Sequence, residues 1–385
     1  MSTIETRFNG HALVVDPAEL IVRTCAKLKF QLDNFGDAYP AACSINHAYP
    51  LTSNTDWTTG FWSGMTSLAW KMTGDPFFAD KLAKQVESFD ARLAARHELD
   101  THDLGFLYSL SCVNAWRFTR DPVARQAALG AAELLIARYL PAAKIIQAWG
   151  DLNDPHQQGR MIIDCLMNLP LLYWATNETG NAVYAEYARN HARQAMNYLL
   201  RKDHSTYHTF YMNVETGAPV KGVTHQGYAD DSCWARGQAW AIYGFALSFR
   251  ETGEPEFLQA AINAARYFLD RLPEDKICYW DLALTDPLTP KDSSAAVIAA
   301  CGLLELVNFI SILDPQRERF ISEALSMTTE LVNHYFDDIP GATGYLKCSV
   351  YNMNKNRGVG EYSTWGDYFF FELLSRLSQP LNRYW

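Results

Sequence analysis

The sequence predicts an all-α protein in which twelve helices pair into six hairpins and close into an (α/α)6 barrel, a single domain spanning 1–385 with residues 1–17 as an N-terminal extension. Three observations predict it. A helix-breaking tetrad recurs as Thr73-Gly74-Asp75-Pro76, Thr119-Arg120-Asp121-Pro122 and Thr252-Gly253-Glu254-Pro255, with looser echoes over 176–180 and at Leu313-Asp314-Pro315. In each, Gly or a polar residue ends one helix, the acid caps the next, and Pro takes the first turn, where a missing N–H costs nothing. These tight turns alternate with long connections at 35–56, 98–103, 140–157, 202–232, 272–292 and 336–364, which places all long loops at one end of the assembly. Finally, segments that follow long loops are more apolar than their partners, as inner and outer helices of a barrel should be.

Taken in order, a first helix is expected at 18–34, and the second, 57–72, opens on Trp57 and Trp62 and stops at the first tetrad. The third, 76–97, alternates charged and apolar residues and reads as an outer helix. Helix 104–118 follows Asp103 and ends at the second tetrad, whose Pro122 starts helix 122–139. Helix 158–175 is apolar almost all round from Met161 to Trp174, and 180–201 follows the Thr176 turn. Helix 233–251 runs from a polar and aromatic block to the third tetrad, and 255–271 again alternates charge with apolar residues. Helix 293–312 contains the most apolar stretch, 315–335 starts at its proline, and 365–378 opens on Trp365-Gly366-Asp367. Strand signals are confined to loop pieces such as 205–212 and 344–350.

Composition narrows the function. With 33 basic and 43 acidic side chains the net charge is −10, which excludes a basic nucleic-acid binder, and 48% apolar residues suffice for a packed core. The longest apolar stretch, 295–306, is interrupted by Gly302 and Glu305 and too short to span a bilayer, and 1–19 lacks the apolar run of a secretory signal. A cytoplasmic protein with no membrane partner is expected. Eight cysteines stand singly, so reduced thiols are expected, and no metal or cofactor is. Aromatic residues reach 13%, and Trp beside polar loop residues is how proteins hold the apolar faces of sugars.

Asp164 is the most informative residue. It lies within Gly159-Arg160-Met161-Ile162-Ile163-Asp164-Cys165-Leu166-Met167, and a carboxylate in such surroundings takes up protons readily enough to serve as a general acid near neutrality. A structural ion pair with Arg160, four residues earlier, is the competing reading. Asp103, in Thr101-His102-Asp103-Leu104-Gly105-Phe106, reads either as an N-cap or as a second carboxylate turned toward the same barrel mouth, where two acids would split their proton affinities. In the block from Tyr228 to Trp240, Arg236 and Trp240 share a helix face and offer planar donors and a stacking ring. An Asp-Ser cap followed by a core Trp is the alternative for the start of that block. Trp57, Trp149, Trp280 and Trp365 stand at the ends of long loops, Trp149 beside Asp151 and Asp154, while His208 and Gln226 lie in the loop before Asp230.

Together, Trp57-Thr58-Thr59-Gly60-Phe61-Trp62, His102-Asp103-Leu104-Gly105-Phe106, the Asp164 segment and Asp230-Asp231-Ser232-Cys233-Trp234-Ala235-Arg236-Gly237-Gln238-Ala239-Trp240 resemble glycoside hydrolase family 88, the unsaturated glucuronyl hydrolases, from about residue 35 to Phe370. The resemblance implies an (α/α)6 barrel that removes a Δ4,5-unsaturated glucuronic acid from the non-reducing end of oligosaccharides left by polysaccharide lyases, from glycosaminoglycans or bacterial polysaccharides. It implies that Asp164 is the general acid/base and Asp103 a second essential carboxylate. It implies too that Trp57, Trp149, His208, Gln226, Arg236 and Trp240 line the sugar subsite. An unsaturated rhamnogalacturonyl hydrolase, a sugar 2-epimerase and a non-catalytic carbohydrate-binding barrel are the alternatives. Sequence does not indicate an oligomeric state.

Overall fold

The structure is a computed structural model and describes residues 7–336, 339, 341–381 and 383–385. Among them run twelve helical rods: α1 (Pro17–Phe35), α2 (Thr59–Thr73), α3 (Pro76–Ala94), α4 (104–119), α5 (Pro122–Ile136), α6 (163–179), α7 (182–199), α8 (Ala235–Thr252), α9 (Pro255–Leu269), α10 (Ser293–Leu306), α11 (315–335) and α12 (Thr364–Ser378). The even-numbered rods form the inner ring. Each packs on the next, and α12 closes back onto α2; the odd-numbered rods lie outside, α1 against α12 and α9 against α8.

Burial follows the apolar patterning. Every residue of α10 is buried, and α8 is buried without a break from Ala235 to Ser248. By contrast α9 buries one stripe, including Phe257, Ala261, Ala264 and Phe268, and leaves the other face to water. The tight turns behave as their tetrads imply. Gly74, Gly180 and Gly253 end inner rods in the left-handed conformation, and Arg120 adopts it at φ 60°. Asp75, Asp121 and Asp314 each accept a helix N–H at 2.9–3.0 Å. Glu254 is the exception: its longer side chain makes no cap and pairs instead with Arg193 at 2.9 Å.

The expected helix 158–175 is not one helix. Arg160–Ile162 is a strand (β1), Ile163–Met167 a 3-10 turn, and α-helical geometry starts only at Pro170. The consecutive β-branched Ile162 and Ile163 favour extended backbone, and Pro170 has no N–H to continue a helix from upstream. β1 pairs antiparallel with β2 (Thr209–Met212), which pairs with β3 (Pro219–Val223). Other helices end early: the one expected at 122–139 stops at Ile136, and the one at 293–312 stops at Leu306. Trp57 precedes α2 rather than belonging to it. A second hairpin, β4 (Ser349–Asn352) with β5 (Arg357–Glu361), stands among the long loops near the strand expected at 344–350.

All six inner rods run in the same direction, with their N-termini at the long-loop end. The opposite end is sealed. Trp385, 1% exposed, stacks on Phe369 at 5.8 Å, donates from Nε1 to Glu372 at 3.1 Å, and its backbone oxygen accepts from Arg250 at 2.9 Å. Beneath it Arg376 joins Glu305 at 3.0 Å and Glu372 at 2.9 Å, tying together α10 and α12.

Candidate active site

Two acids meet at the mouth because two inner rods touch there. A Cβ on Gly105 would lie 2.2 Å from the Cα of Asn168, so only glycine lets α4 approach the start of α6 this closely. The contact is stitched by Asn168, whose Oδ1 accepts the Phe106 N–H at 2.7 Å and whose Nδ2 donates to the Asp164 carbonyl at 3.3 Å. Asp103, two residues before Gly105, and Asp164, in the 3-10 turn, are thereby brought together. Asp103 stands at the N-cap position, its backbone carbonyl accepting the Leu107 N–H at 2.9 Å, but its side chain caps nothing: Oδ2 takes the Thr101 hydroxyl at 2.8 Å.

His102, 1% exposed, stands between the acids, its Nε2 3.4 Å from one oxygen of each. Oδ1 of Asp164 has no hydrogen-bond partner. The Arg160 ion pair does not form: that guanidinium lies 4.5 Å over the Trp149 ring and donates from Nε to Tyr211 at 3.1 Å. Strand geometry at Arg160 turns its side chain away from Asp164. Burial holds the Asp164 carboxyl well above the ordinary carboxylate range, the charge of Asp103 adds to this, and Arg236 opposes it. Burial raises Asp103 to about 6, against the Thr101 hydrogen bond. Both acids therefore hold a proton more tightly than an ordinary carboxylate, and at Asp164 the charge of Asp103 adds to burial, an asymmetry that general acid chemistry can use. Donor atoms of His102, Asp103 and Asp164 lie within 4.8 Å of one another, a spacing that suits a divalent cation, although a cation there has to displace the Asp164 proton.

All eight residues that the resemblance assigns to catalysis or the sugar subsite border one cavity of about 260 Å³. Trp57 donates from Nε1 to the Tyr351 hydroxyl at 3.0 Å and stacks on Trp365 at 5.5 Å. Trp149 stands at the rim, 36% exposed. His208 bonds through Nδ1 to the Thr209 hydroxyl at 2.6 Å, and burial keeps its imidazole neutral. Arg236 is nearly spent: Nη1 serves Asp292 and the Val350 carbonyl, Nη2 the Tyr351 carbonyl at 2.8 Å and Gln226 Oε1 at 3.0 Å. Only its Nε–H and its charge remain for a ligand. Its guanidinium faces Trp234 at 4.5 Å and Trp365 at 4.7 Å rather than Trp240, which packs on Phe106 and Phe369.

Four lining residues, His102, Ile162, Trp234 and Tyr351, were not singled out. His102 and Trp234 lay inside the quoted motifs, and Tyr351 sits in a hairpin without a motif. The Asp-Ser cap is also absent: Asp230 accepts the Thr224 N–H at 2.7 Å, and Ser232 donates to Asp281 at 2.6 Å. Trp62 and Trp280 are core residues, and the acids beside Trp280 and Trp365 clamp loop backbone, Asp367 through the Tyr345 and Leu346 N–H groups at 2.9 Å. A neighbouring depression of about 340 Å³ shares Trp57, Asp103 and Trp149 and adds Glu98 and Asp100.

Comparison with known proteins places this arrangement. Residues 37–362 match Glycosyl Hydrolase Family 88. The unsaturated glucuronyl hydrolase of Bacillus sp. (strain GL1) is 44% identical over 92% of this chain and 94% of its own length. The unsaturated chondroitin disaccharide hydrolase of Streptococcus pneumoniae (strain ATCC BAA-255 / R6) is 40% identical over 95% and 93%. The crystal structure of the Bacillus sp. GL1 enzyme superposes with a TM-score of 0.93 at 42% identity, covering 96% of this chain and 98% of that one. A mutant unsaturated glucuronyl hydrolase from Streptococcus agalactiae, complexed with dGlcA-GalNAc6S, superposes at 0.86 with 37% identity over 98% and 96%. Agreement in sequence and backbone over more than nine-tenths of its length means that the chain belongs to glycosyl hydrolase family 88.

Proposed function

We propose that the cavity hydrates the C4=C5 double bond of a Δ4,5-unsaturated glucuronic acid at the non-reducing end of a lyase-generated oligosaccharide, releasing the adjoining sugar. The observation that carries this reading is the pair of adjacent acids in an aromatic cavity, each side chain less than a fifth exposed and each holding its proton more tightly than an ordinary carboxylate. Asp164 delivers its proton to C4, and water adds its oxygen to C5 while its proton returns to the Asp164 carboxylate. The C5 hemiketal opens to a ketone, the C1 hemiacetal so formed expels the leaving sugar as an alcohol, and a 4-deoxy-5-keto uronate remains. Asp103 stays charged, holds ring hydroxyls and keeps Asp164 protonated. Trp57 and Trp149 stack on the sugars; His208 and Gln226 orient the acid's substituents, with Arg236 fixing Gln226.

Relatives named for unsaturated glucuronyl and chondroitin disaccharide substrates support a glycosaminoglycan-type fragment as substrate. We read residues 1–385 as one catalytic domain, because α1 and α12, from opposite ends of the chain, pack together. Among the described residues no helix is long and apolar enough to cross a membrane, and eight free thiols fit a reducing, cytoplasmic setting. The test follows the near-ultraviolet absorbance of an unsaturated disaccharide. Wild type should abolish it and yield the free second sugar; unchanged substrate bound by the protein would overturn the reading.

A further inference from the structure

The functional reading above leaves His102 without a task, yet its geometry is specific. Its ring is 1% exposed, Nε2 points into the gap between the two acids at 3.4 Å from each, and Nδ1 is buried without a partner. Two carboxyl oxygens converging on Nε2 call for a donor there, and a proton on Nδ1 would be a buried N–H with nothing to accept it. The stable form is therefore the neutral tautomer with Nε2–H toward the acids. Burial holds the imidazole well below its ordinary value, so it does not become a cation in the working range.

Other titratable groups surround this trio without touching it. Asp56, ahead of α2, pushes Asp103 toward its neutral form, while Arg92 of α3 and Arg138 after α5 pull it the other way. Arg236 of α8 acts on Asp164, and His191 of α7, His208 beside β2 and Arg138 act on His102. Among the described residues, His102 alone brings a basic nitrogen within 4 Å of either carboxylate.

We propose that His102 is a positioning residue whose Nε2–H, aimed between the acids, favours the charged form of Asp103 while Asp164 retains its proton. The inference rests on the functional reading above, in which Asp103 must be charged and Asp164 protonated. It predicts that removing the donor makes Asp103 harder to ionise, and a hydrogen bond to a charged group corresponds to a displacement of about one to two pH units.

The experiment compares pH–rate profiles of wild type, His102→Leu and His102→Gln on an unsaturated disaccharide, with Asp164→Asn alongside. In His102→Leu the acid limb of kcat should move to higher pH by about one to two units, and the amide of His102→Gln should return it toward wild type. Superimposable wild-type and His102→Leu profiles would overturn the proposal while leaving the functional reading intact. Absence of cleavage by wild type itself would instead overturn that reading. If His102→Leu does not fold, nitrogen-15 NMR of wild-type histidines decides: a neutral Nε2–H signal that persists through the active range supports the proposal, and an imidazolium forming in step with the rate overturns it.

Discussion

Replacing Asp103 by Asn should make the protein more stable and less active. Asp103 ionises at about 6 in the folded protein against an ordinary value of 3.8. That gap of about two units corresponds to about 3 kcal/mol at 1.36 kcal/mol per unit. The sign follows from proton binding: below about pH 4 both states hold the proton and the carboxyl costs nothing. As pH rises through the folded value, the unfolded chain has already released its proton, the folded chain releases it into a poorly solvated site, and wild-type stability falls to a plateau. Asparagine keeps an oxygen for the Thr101 hydroxyl and carries no charge to bury. Urea unfolding of both proteins between about pH 4 and 8 should show a difference growing from near zero to about 3 kcal/mol in favour of Asp103→Asn. Parallel curves, or a less stable asparagine variant at every pH, would refute the reasoning, because the carboxylate would then be adequately solvated or paired.

Asp164→Asn should lower kcat/KM by about 10²- to 10⁴-fold with an unchanged melting profile, measured by loss of the unsaturated chromophore. The wild-type kcat/KM profile should fall on the acid side with an apparent value near the Asp103 value of about 6, and Asp103→Asn should bring the alkaline limb to lower pH by removing the charge that raises Asp164. Gly105→Ala forces a methyl into the Asn168 backbone; stability should drop by about 1–3 kcal/mol and kcat by about 10²-fold as the acids separate, read from melting and steady-state rates. Trp149→Ala removes a rim platform, so KM should rise about tenfold while kcat stays within about twofold. Arg236→Met leaves the fully buried Asp292 without its cation and should destabilise the fold by about 3–5 kcal/mol in denaturant titrations.

Much of the barrel was legible because its grammar is local. Turn tetrads such as Thr73 to Pro76 state a helix end, a cap and a start within four residues, and the apolar content of 295–306 marks an inner rod without reference to its neighbours. The Asp164 segment was misread as a helix because apolar residues all round are compatible with either a buried strand or a buried helix; pairing of β1 with β2 some 47 residues later decides it. The acids were visible as isolated carboxylates in apolar or loop surroundings, and motif resemblance joined them. His102 and Tyr351 were not visible as site residues. Their orientation depends on the contact between α4 and α6 and on the β4–β5 hairpin, which no short pattern encodes. Arg236 shows the reverse: sequence marks it as a donor, and only coordinates reveal that its Nη protons are already committed to Asp292, Gln226 and two carbonyls.

The sealed far end has a consequence for the order of events. With Trp385 wedged among Phe106, Tyr243, Tyr368 and Phe369, the described residues fill the ring at that end, away from the long loops. A polysaccharide cannot thread through; it can only offer its tip, which is why a chain end rather than an internal linkage meets the acids. Both products must also depart by the route of arrival. On the proposed function the shortened oligosaccharide, nearer the doorway, should leave first and the small keto acid last, so that acid should act as the competitive product inhibitor.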